Sequence, residues 1–381
     1  MSGPNPAGGT VSPNAFPCGG CGARVEFAPG TTAMRCPYCG YEQQISHGDQ
    51  VVQEHALAEL GTLPRKPVAQ LAAYVYVCQR CAAQTQSNDT ATQCQFCGSP
   101  LVLDPHASGQ IMPEAVLPFL LDRNGMRESL RKWIKSRWFA PNALKKVSEA
   151  ESTRGTYVPH WTYDSQTYSS YSGARGEHYY VTETYTDSDG RTQTRRVQRT
   201  RWYPVSGQVE RFFDDVVVPG NTTNVPPAKV DALAPWPLPE AAPFAPQYLA
   251  GFTALRYDVE PETGLDEAKR RMSSVIHDDC RRDIGGDEQR VDGVNTNYTA
   301  LTFKLMLLPI WIACYLYGGK TFQILVNGRT GEVHGERPYS KMKIFLAVLL
   351  AIVVIGLILY FALSGHHPTT TSTHPTTTRH R

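Results

Sequence analysis

The chain has almost no excess of charge of either sign. Among its 381 residues, 37 Lys and Arg face 35 Asp and Glu, which gives a net charge of +2. This near balance by itself predicts no polyanionic partner. Its ten cysteines are too dilute for a small secreted domain held together by disulfides. The first seventeen residues have no apolar run and no Lys or Arg, so they predict a disordered lead-in rather than a targeting signal.

Sequence motifs of common catalytic sites are also missing. The stretch nearest to a phosphate-binding loop is Gly319-Lys320-Thr321, but Cys314 stands where that motif needs its first glycine. No HExxH, GxSxG or GxGxxG pattern occurs. The neighbours in Asp214-Asp215 and Asp278-Asp279 would diverge on a strand or a helix, so neither pair predicts an acid/base dyad. The sequence therefore predicts a protein that is not an enzyme, with no catalytic residues.

Eight of the ten cysteines instead fall into two sets of four, each made of two CxxC pairs. The sets are Cys18, Cys21, Cys36 and Cys39, and Cys78, Cys81, Cys94 and Cys97. Two such pairs on facing hairpins bring four thiolates to tetrahedral spacing, the ligand arrangement of a structural zinc ion. Disulfides and a redox dithiol are the alternatives, but the regular spacing and a reducing cytosol favour metal. We predict two structural Zn²⁺ sites with no open coordination position.

The residues around the first set have the local signals of a zinc ribbon. Arg24–Phe27 and Thr32–Arg35 flank a Pro-Gly turn, which predicts a short hairpin. Gly22 and Gly40 each follow a cysteine pair, where a left-handed backbone lets N–H groups reach the sulfurs. We expect this hairpin and these turns to hold the thiolates together.

One long apolar run lies near the C-terminus. Ile344–Leu363 contains twenty residues without a charge, and at 1.5 Å per residue such a helix spans about 30 Å, the thickness of a bilayer core. Arg337, Lys341 and Lys343 precede the run, whereas the first Lys or Arg after it is Arg379. The positive-inside rule then places the N-terminal bulk in the cytosol. We predict a single-pass protein of the cytoplasmic membrane with a short disordered tail outside.

The middle of the chain alternates between strand and helix signals. Residues 157–218 follow a period of two with a turn signal at Asp187–Gly190, and Leu265–Ile284 predicts a helix with Val275 on its apolar face. The fold class is α+β, with two small zinc ribbons, a mixed antiparallel β/helix domain and one transmembrane helix. The predicted segments are a disordered lead-in (1–17), zinc ribbon 1 (18–45), a linker (46–75), zinc ribbon 2 (76–104), a basic amphipathic helical segment (105–152), a β-rich unit (153–218), a Pro-rich connection (219–246), a helix plus β unit (247–340), the transmembrane helix (344–363) and the outer tail (364–381).

Two basic stretches break the overall charge balance. Arg123–Lys146 carries eight basic residues and one acid on a helical pattern, and residues 191–201 carry five arginines and no acid. Three interpretations stay open: a core helix and a solvated strand face, attraction to anionic lipid headgroups, or phosphate contacts with nucleic acid. No aromatic-interleaved RNA-binding signature accompanies either stretch.

Several short motifs carry a resemblance to a known family. They are CPYCG at Cys36–Gly40, RWFAPNALKK from Arg137, TRWYPVSG at Thr200–Gly207, DIGGDEQRV at Asp283–Val291 and VNGRTGEVHGERPYS at Val326–Ser340. On these the chain resembles bacterial membrane-anchored proteins with tandem transcription-factor-IIB-type zinc ribbons. Many of those are catalogued as primosomal protein N′, a replication-restart superfamily II helicase, whose ATPase motifs have no counterpart here. The resemblance implies an association with phage-shock-type proteins and flotillin-like scaffolds in envelope stress.

Two functional hypotheses follow from different classes. The first is a non-enzymatic single-pass adaptor on the cytosolic face, whose zinc ribbons bind protein partners at the membrane and whose basic stretches meet anionic lipid. The second is a membrane-tethered nucleic-acid-binding accessory of replication restart, without helicase activity of its own. Salt-dependent binding to DNA separates the two, because phosphate contacts release counterions.

Overall fold

The computed structural model describes residues 16–63, 65–66, 74–78, 84–87, 101–103, 110–137, 153–186, 188–317, 320–336 and 341–364. Residues 1–15 of the predicted lead-in, residues 365–381 of the predicted outer tail, and Cys81, Cys94 and Cys97 lie outside them.

Within these ranges the chain forms mostly strands. The strands are β1 (Glu26–Phe27), β2 (Ala33–Arg35), β3 (Glu42–Gln44), β4 (His55–Ala56), β5 (Arg65–Lys66), β6 (Tyr74–Cys78), β7 (Gln84–Ser87), β8 (Leu101–Leu103), β9 (Gln110–Ile111), β10 (Ala115–Val116), β11 (Arg154–Thr186), β12 (Thr192–Pro219), β13 (Ala242–Pro243), β14 (Thr253–Leu255), β15 (Glu288–Tyr317), β16 (Lys320–Asn327) and β17 (Val333–Gly335). The helices are α1 (Arg123–Lys135), α2 (Pro227–Asp231), α3 (Pro261–Ile284) and α4 (Lys341–Ser364), with 3-10 segments at Leu57–Thr62, Leu238–Glu240 and Pro246–Leu249.

Three very long strands form the centre of the body. Strands β11, β12 and β15 have 33, 28 and 30 residues, and β11 pairs antiparallel with both of the others. At about 3.3 Å per residue, a strand as long as β11 extends for roughly 110 Å. The pairing of β15 with β11 ends at Gly176. Beyond it β11 and β12 continue as a two-stranded hairpin, residues 177–201, which we call the arm.

The shorter strands widen the sheet at the other end of β11 and β15. Strands β4, β10 and β16 pair along the free edge of β15, and β14 pairs beside β11 and links it to β7, β6 and β8. The described strands of this sheet number twelve, while β1, β2 and β3 form a separate three-stranded ribbon sheet. The body is therefore dominated by β structure, and the predicted α+β balance overstated the helices.

Burial changes in steps along β11. Residues 155–165 are buried in an unbroken run, because both faces of the sheet are covered there. Over residues 167–176 buried and exposed positions largely alternate, as expected where one face is covered, and in the arm the side chains are exposed or half-buried. The strand thus passes from core to solvent without a break in its hydrogen bonding.

One face of the sheet carries the zinc ribbon and two helices. Near one end, Tyr157 and Trp311 pack in a cluster with residues of the ribbon and of α1. Further along the same face, Trp161 and Phe303 pack against α3. Helix α3 begins four residues before the predicted start and ends at Ile284 as predicted, where Gly285 follows with a φ of +63°.

The buried stripe of α3 differs from the prediction at one position. Val275 is 38% exposed, and the buried side chain of that turn is Ile276. The stripe consists of Leu265, Ala268, Met272, Ile276, Cys280 and Ile284. Their spacing of three or four residues keeps one side of the helix against the sheet, and Val275 lies outside that side.

The opposite face is covered by the proline-rich connection. Val158 and Ile310 point to this side, and Val225, Val230 and Leu233 of the connection pack over them. Proline restricts this segment to irregular backbone with a single turn of α2, yet its apolar side chains still bury the sheet. The connection is a layer of the core as well as a link.

Helix α4 is the most apolar part of the chain. Its segment Met342–Tyr360 has a mean hydropathy of 3.0, and none of it is buried within the fold. Among the described helices it is the one long and apolar enough to cross a membrane.

Candidate metal centre

The four thiols of the first cysteine set converge on one point. The Sγ atoms of Cys18 and Cys39 are 3.5 Å apart, those of Cys21 and Cys36 are 3.6 Å apart, and all four lie within 4.8 Å of one another. A Zn–S bond of about 2.3 Å places tetrahedral sulfurs about 3.8 Å apart, so the arrangement fits a zinc ion. The sulfurs are too far apart for disulfides, which need about 2.05 Å.

Two equivalent turns hold these thiols. The N–H groups of Gly22 and Gly40 donate to the carbonyl oxygens of Cys18 and Cys36, at 2.9 and 3.0 Å. Both glycines have left-handed backbone, with φ of +73° and +74°, as their position after each CxxC pair predicts. The Cys18 sulfur also accepts a hydrogen bond from the Gly20 N–H at 3.3 Å. Backbone donors therefore face the sulfurs and favour thiolates.

The electrostatics of the set are those of a site built for a cation. Backbone N–H groups, first that of Cys39, lower the pKa of Cys36 to about 6. The Tyr41 N–H lowers the pKa of Cys39, but the neighbouring Cys18 and Cys21 side chains outweigh this effect and raise the pKa to about 12. Four thiolates in such close contact repel one another, and a bound Zn²⁺ would remove that repulsion by ligating all four.

The ribbon is packed onto the body. The Phe27 N–H donates to the Ala250 carbonyl and the Gly30 N–H donates to the Phe119 carbonyl, both at 2.9 Å. The Phe27 ring meets Tyr248 edge to face at 5.1 Å. Buried Cys18 and Cys36 belong to the same apolar cluster as the sheet, whereas Cys21 and Cys39 face outward. The metal centre therefore lies at the rim of the core.

The second cysteine set is described only at Cys78, the last residue of β6. Its flanking strands nevertheless repeat the register of the first set. Pro17, just before Cys18, pairs with Arg24, and Val77, just before Cys78, pairs with Gln84 at the same offset. Because the other three ligands lie outside the described residues, the second zinc site stays a prediction.

A groove of about 640 Å³ separates the ribbon from the body. It is lined by residues of β2 and β3, by Phe119, Leu120 and Tyr248, and by Arg329 and Glu240. The last two form an ion pair with each other. The volume suits a small ligand, but these two charges are already paired.

A second cluster of ionisable groups, which motif analysis missed, lies within the sheet. The Lys304 ammonium is 2.7 Å from a Glu54 oxygen and 2.6 Å from an Asp215 oxygen, and the Asp215 N–H donates to Asp164 at 2.7 Å. Burial first, and then the Glu54 carboxylate, raise the pKa of Asp164 to about 7. Three carboxylates and one ammonium thus hold a shared proton at neutral pH.

This cluster is assembled by irregularities in the long strands. The pairing of β11 with β12 and its pairing with β15 both shift register beside Asp164. At these two irregularities Asp215 of β12 and Ala300 of β15 have φ of +51° and +49°. Such bulges re-aim side chains, and they bring Asp215 beside Asp164. The signal for this cluster in the sequence is Lys304, a charged residue within the apolar run of β15. Its partners are 250 and 89 positions away, which no local pattern reveals.

The two basic stretches prove to differ. In the arm, Glu183 from β11 forms ion pairs with Arg195 and Arg199 of β12. The arm carries five arginines and four acids in all, so its net charge is +1. Aromatic residues do not alternate with these arginines along the sequence, but they lie beside them on the opposite strand. The Arg196 guanidinium carbon is 4.1 Å from the centre of the Tyr180 ring. In α1, by contrast, five cations stand against a single acid, Glu128.

Comparison with known proteins identifies the module that holds the first cysteine set. Residues 18–43 match the NADH pyrophosphatase zinc ribbon domain. The chain therefore has an N-terminal zinc ribbon, as the sequence predicts. The match covers the ribbon alone, and it carries nothing about hydrolysis to this chain.

The whole chain has a relative of similar length. It is 25% identical over 355 residues to the uncharacterized protein YdjG of Bacillus subtilis (strain 168), which covers 90% of this chain and 98% of YdjG. No solved structure matches the chain. The chain and YdjG are therefore similar over nearly their whole lengths.

Proposed function

We propose that the protein is a non-enzymatic adaptor that spans the cytoplasmic membrane once, with its N-terminal bulk in the cytosol and its tail outside. The observation that carries the proposal is α4, an apolar segment with mean hydropathy 3.0 and no burial in the fold. Leaving such a helix in water is unfavourable, and a bilayer core removes that cost. Lys341 and Lys343 at its start support the orientation.

The zinc ribbons have a structural role in this proposal. The closed four-thiolate arrangement leaves a zinc ion no position for water or substrate, which supports a folding role rather than catalysis. A second structural zinc ion is held by Cys78, Cys81, Cys94 and Cys97, and the repeated register around Cys78 supports it. Each ion fixes a short hairpin that has too little apolar surface to fold alone.

The outer side of the first ribbon is the surface offered to protein partners. Tyr38 is 82% exposed and Tyr41 is 46% exposed, on turns that the metal makes rigid. Exposed aromatic side chains on rigid turns are typical of protein interfaces. Envelope-stress proteins of the phage-shock type and flotillin-like scaffolds enter as partners through the family resemblance alone.

Membrane insertion is tested by fractionation of cells that express the full chain. We expect the protein to resist alkaline extraction, and a variant without residues 341–364 to be released. Protease added to sealed spheroplasts should leave the N-terminal bulk intact. Release of the full chain into the soluble fraction, or digestion of that bulk in sealed spheroplasts, would contradict the proposal.

The adaptor role is tested by crosslinked co-purification from membranes. The variant Tyr38→Ala should lose its partners while keeping zinc, because this side chain is 82% exposed. The variant Tyr185→Ala removes an exposed tyrosine from the arm and should keep them. Identical partner sets in both variants would overturn the assignment of the ribbon surface.

The second candidate is nucleic-acid binding by a membrane-tethered accessory of replication. The observation that favours it is the stacking of Arg196 on Tyr180 and of Arg201 on Tyr179, because rings and guanidinium groups on a ribbon suit bases and phosphates. The net charge of the arm weighs against it. Micromolar binding of DNA by the detergent-solubilised chain, with a steep salt dependence, would favour this candidate over the adaptor.

A further inference from the structure

Helix α1 carries an unbroken ridge of positive charge. Its cations recur every four residues along one side of the helix and continue at its C-terminal end. They are Arg123, Arg127, Arg131, Lys132, Lys135 and Arg137, against a single acid, Glu128. The apolar stripe of Met126, Leu130 and Ile134 is buried on the body, so the ridge lies beside it toward solvent. The helix is amphipathic with one basic side.

The charge of this ridge is not neutralised by the rest of the described chain. Among the described residues, Arg123, Arg131, Lys132 and Lys135 form no ion pair. Like charges four residues apart destabilise a helix by about 0.2–0.5 kcal/mol per pair, and the ridge contains three such pairs. The arm and α3 show the opposite arrangement, with Arg199 paired to Glu183 and Arg271 to Asp231. The unmatched ridge therefore suits an anionic partner outside the chain.

The position of α1 identifies that partner. The helix packs on β16 and β17, sharing a cluster with Ile324 and Val333, and Gly331 between those strands lies against Ser129. Strand β17 ends at Gly335 and α4 begins at Lys341. Even a fully extended chain covers only about 20 Å between those two residues, which is about the length of α1 itself. The ridge thus lies at the end of the body from which the apolar helix leaves.

We propose that α1 is a juxtamembrane surface that binds the anionic phospholipid headgroups of the bilayer that α4 enters. The inference rests on the membrane insertion proposed above and adds to it the face and the lipid class. Clustered Lys and Arg beside an anchor gain energy from anionic lipid and little from zwitterionic lipid. The arm extends from the opposite end of β11 and takes no part.

The test uses the full chain in lipid nanodiscs, with hydrogen–deuterium exchange of α1 as the readout. We expect the α1 amides to exchange about tenfold more slowly in phosphatidylcholine mixed with phosphatidylglycerol than in phosphatidylcholine alone. High salt should abolish the difference, because the contacts are exposed and screened. Equal exchange in the two bilayers would overturn the proposal.

Matched variants separate the ridge from total charge. Replacing Arg123, Arg131, Lys132 and Lys135 by Gln should abolish the lipid effect, whereas replacing Arg191, Arg195, Arg196 and Arg199 of the arm by Gln removes the same charge and should preserve it. A variant with Arg131→Lys, Lys132→Arg and Lys135→Arg keeps the charge and should also preserve it. Unchanged exchange in the core of β11 and β15 shows that each variant is folded.

Two further outcomes are distinguishable. If the full chain fails to insert into nanodiscs and is extracted by alkali, the proposed membrane function is wrong, and the inference about α1 falls with it. If the chain inserts but α1 is protected by a DNA duplex in neutral nanodiscs and not by phosphatidylglycerol, the ridge is a nucleic-acid surface. Only the lipid assignment is then overturned.

Discussion

Asp164 is the residue whose setting differs most from an ordinary aspartate. It is 6% exposed, between two irregular neighbouring strands, and it hydrogen-bonds the backbone of Asp215. Burial lowers the pKa of the Lys304 ammonium, but the Asp215 and Glu54 carboxylates raise this pKa by more. The lysine therefore stays charged and holds the cluster together. Asp164 lies against Glu54 and keeps its proton.

The raised pKa of Asp164 predicts an unusual dependence of stability on pH. An unfolded aspartate loses its proton near pH 4, whereas folded Asp164 keeps it to about pH 7. The folded chain then binds more protons in this window, so the stabilising contribution is complete below about pH 4 and declines as pH rises through about 7. Asp164→Asn mimics the protonated acid and should lack this decline. Each pKa unit is worth about 1.4 kcal/mol, so urea unfolding should show the wild type losing roughly 3–4 kcal/mol relative to the variant between these pH values.

A neighbouring acid provides the control for that experiment. Asp214 is exposed and adjacent to the same bulge, so Asp214→Asn should leave the slope of the wild type unchanged. The Asp164 side chain first, and then Lys304, lower the pKa of Glu54 to about 2, so the stabilising contribution of Glu54 is complete above about pH 4.5 and is lost as pH falls through about 2. Parallel pH profiles for the wild type and Asp164→Asn would show that Asp164 is ionised in the folded chain.

At the scale of elements, the zinc ribbon is a small sheet whose inner side belongs to the core. Its strands contain two or three residues each, too few to stay folded without further support. The metal holds the two turns, and Phe27, Met34 and Val25 then bury against the sheet. Loss of the metal should therefore loosen the ribbon and uncover part of the body.

The variant Cys36→Ser with Cys39→Ser tests this dependence. We expect one zinc equivalent fewer per chain by metal analysis, and rapid amide exchange over residues 18–45. Insertion of α4 should be unaffected, since the ribbon and the apolar helix are separate elements. Cys314→Ser removes a thiol that is not a ligand and should keep the zinc content of the wild type. An unchanged zinc content in the double variant would show that the ligands are misassigned.

At the scale of the whole molecule, stability is concentrated at one end of the long strands. Tyr171 of β11 is buried, and its hydroxyl donates to Asp283 of α3 at 2.5 Å. Tyr179, eight residues further along the strand, is 36% exposed in the arm. Two strands without a covering layer are at best marginally stable, so the arm is carried by the core.

Shortening the arm should therefore leave the stability of the body unchanged. Replacing residues 179–199 by Asn-Gly joins His178 to Thr200, which already face each other in the hairpin. We expect the free energy of unfolding to change by less than about 0.5 kcal/mol in urea titrations. Tyr171→Ala, in the covered part of the same strand, should cost about 3 kcal/mol. A comparable loss on shortening the arm would mean that the arm packs against the body.

Features with a local cause were predictable from the sequence. The first cysteine set, its two left-handed glycines, the end of α3 at Gly285 and the arginine-rich ridge of α1 depend on residues a few positions apart. Val275 was misplaced because helical spacing alone does not fix which flank of the stripe meets the sheet. The ion pairs of residues 191–201 were not predictable, because Glu183, which pairs with Arg195 and Arg199, is on the opposite strand.

The sequence by itself determined a zinc ribbon at the N-terminus, an apolar helix at the C-terminus and a strand-rich middle, because metal spacing, hydropathy and period two are properties of consecutive residues. Only the tertiary structure decided that β11 runs from core to free arm, that Glu54, Asp164 and Lys304 share one cluster, and that α1 packs on β16 and β17. Each of those depends on pairing between segments far apart in the chain, where register and burial are set by the whole sheet.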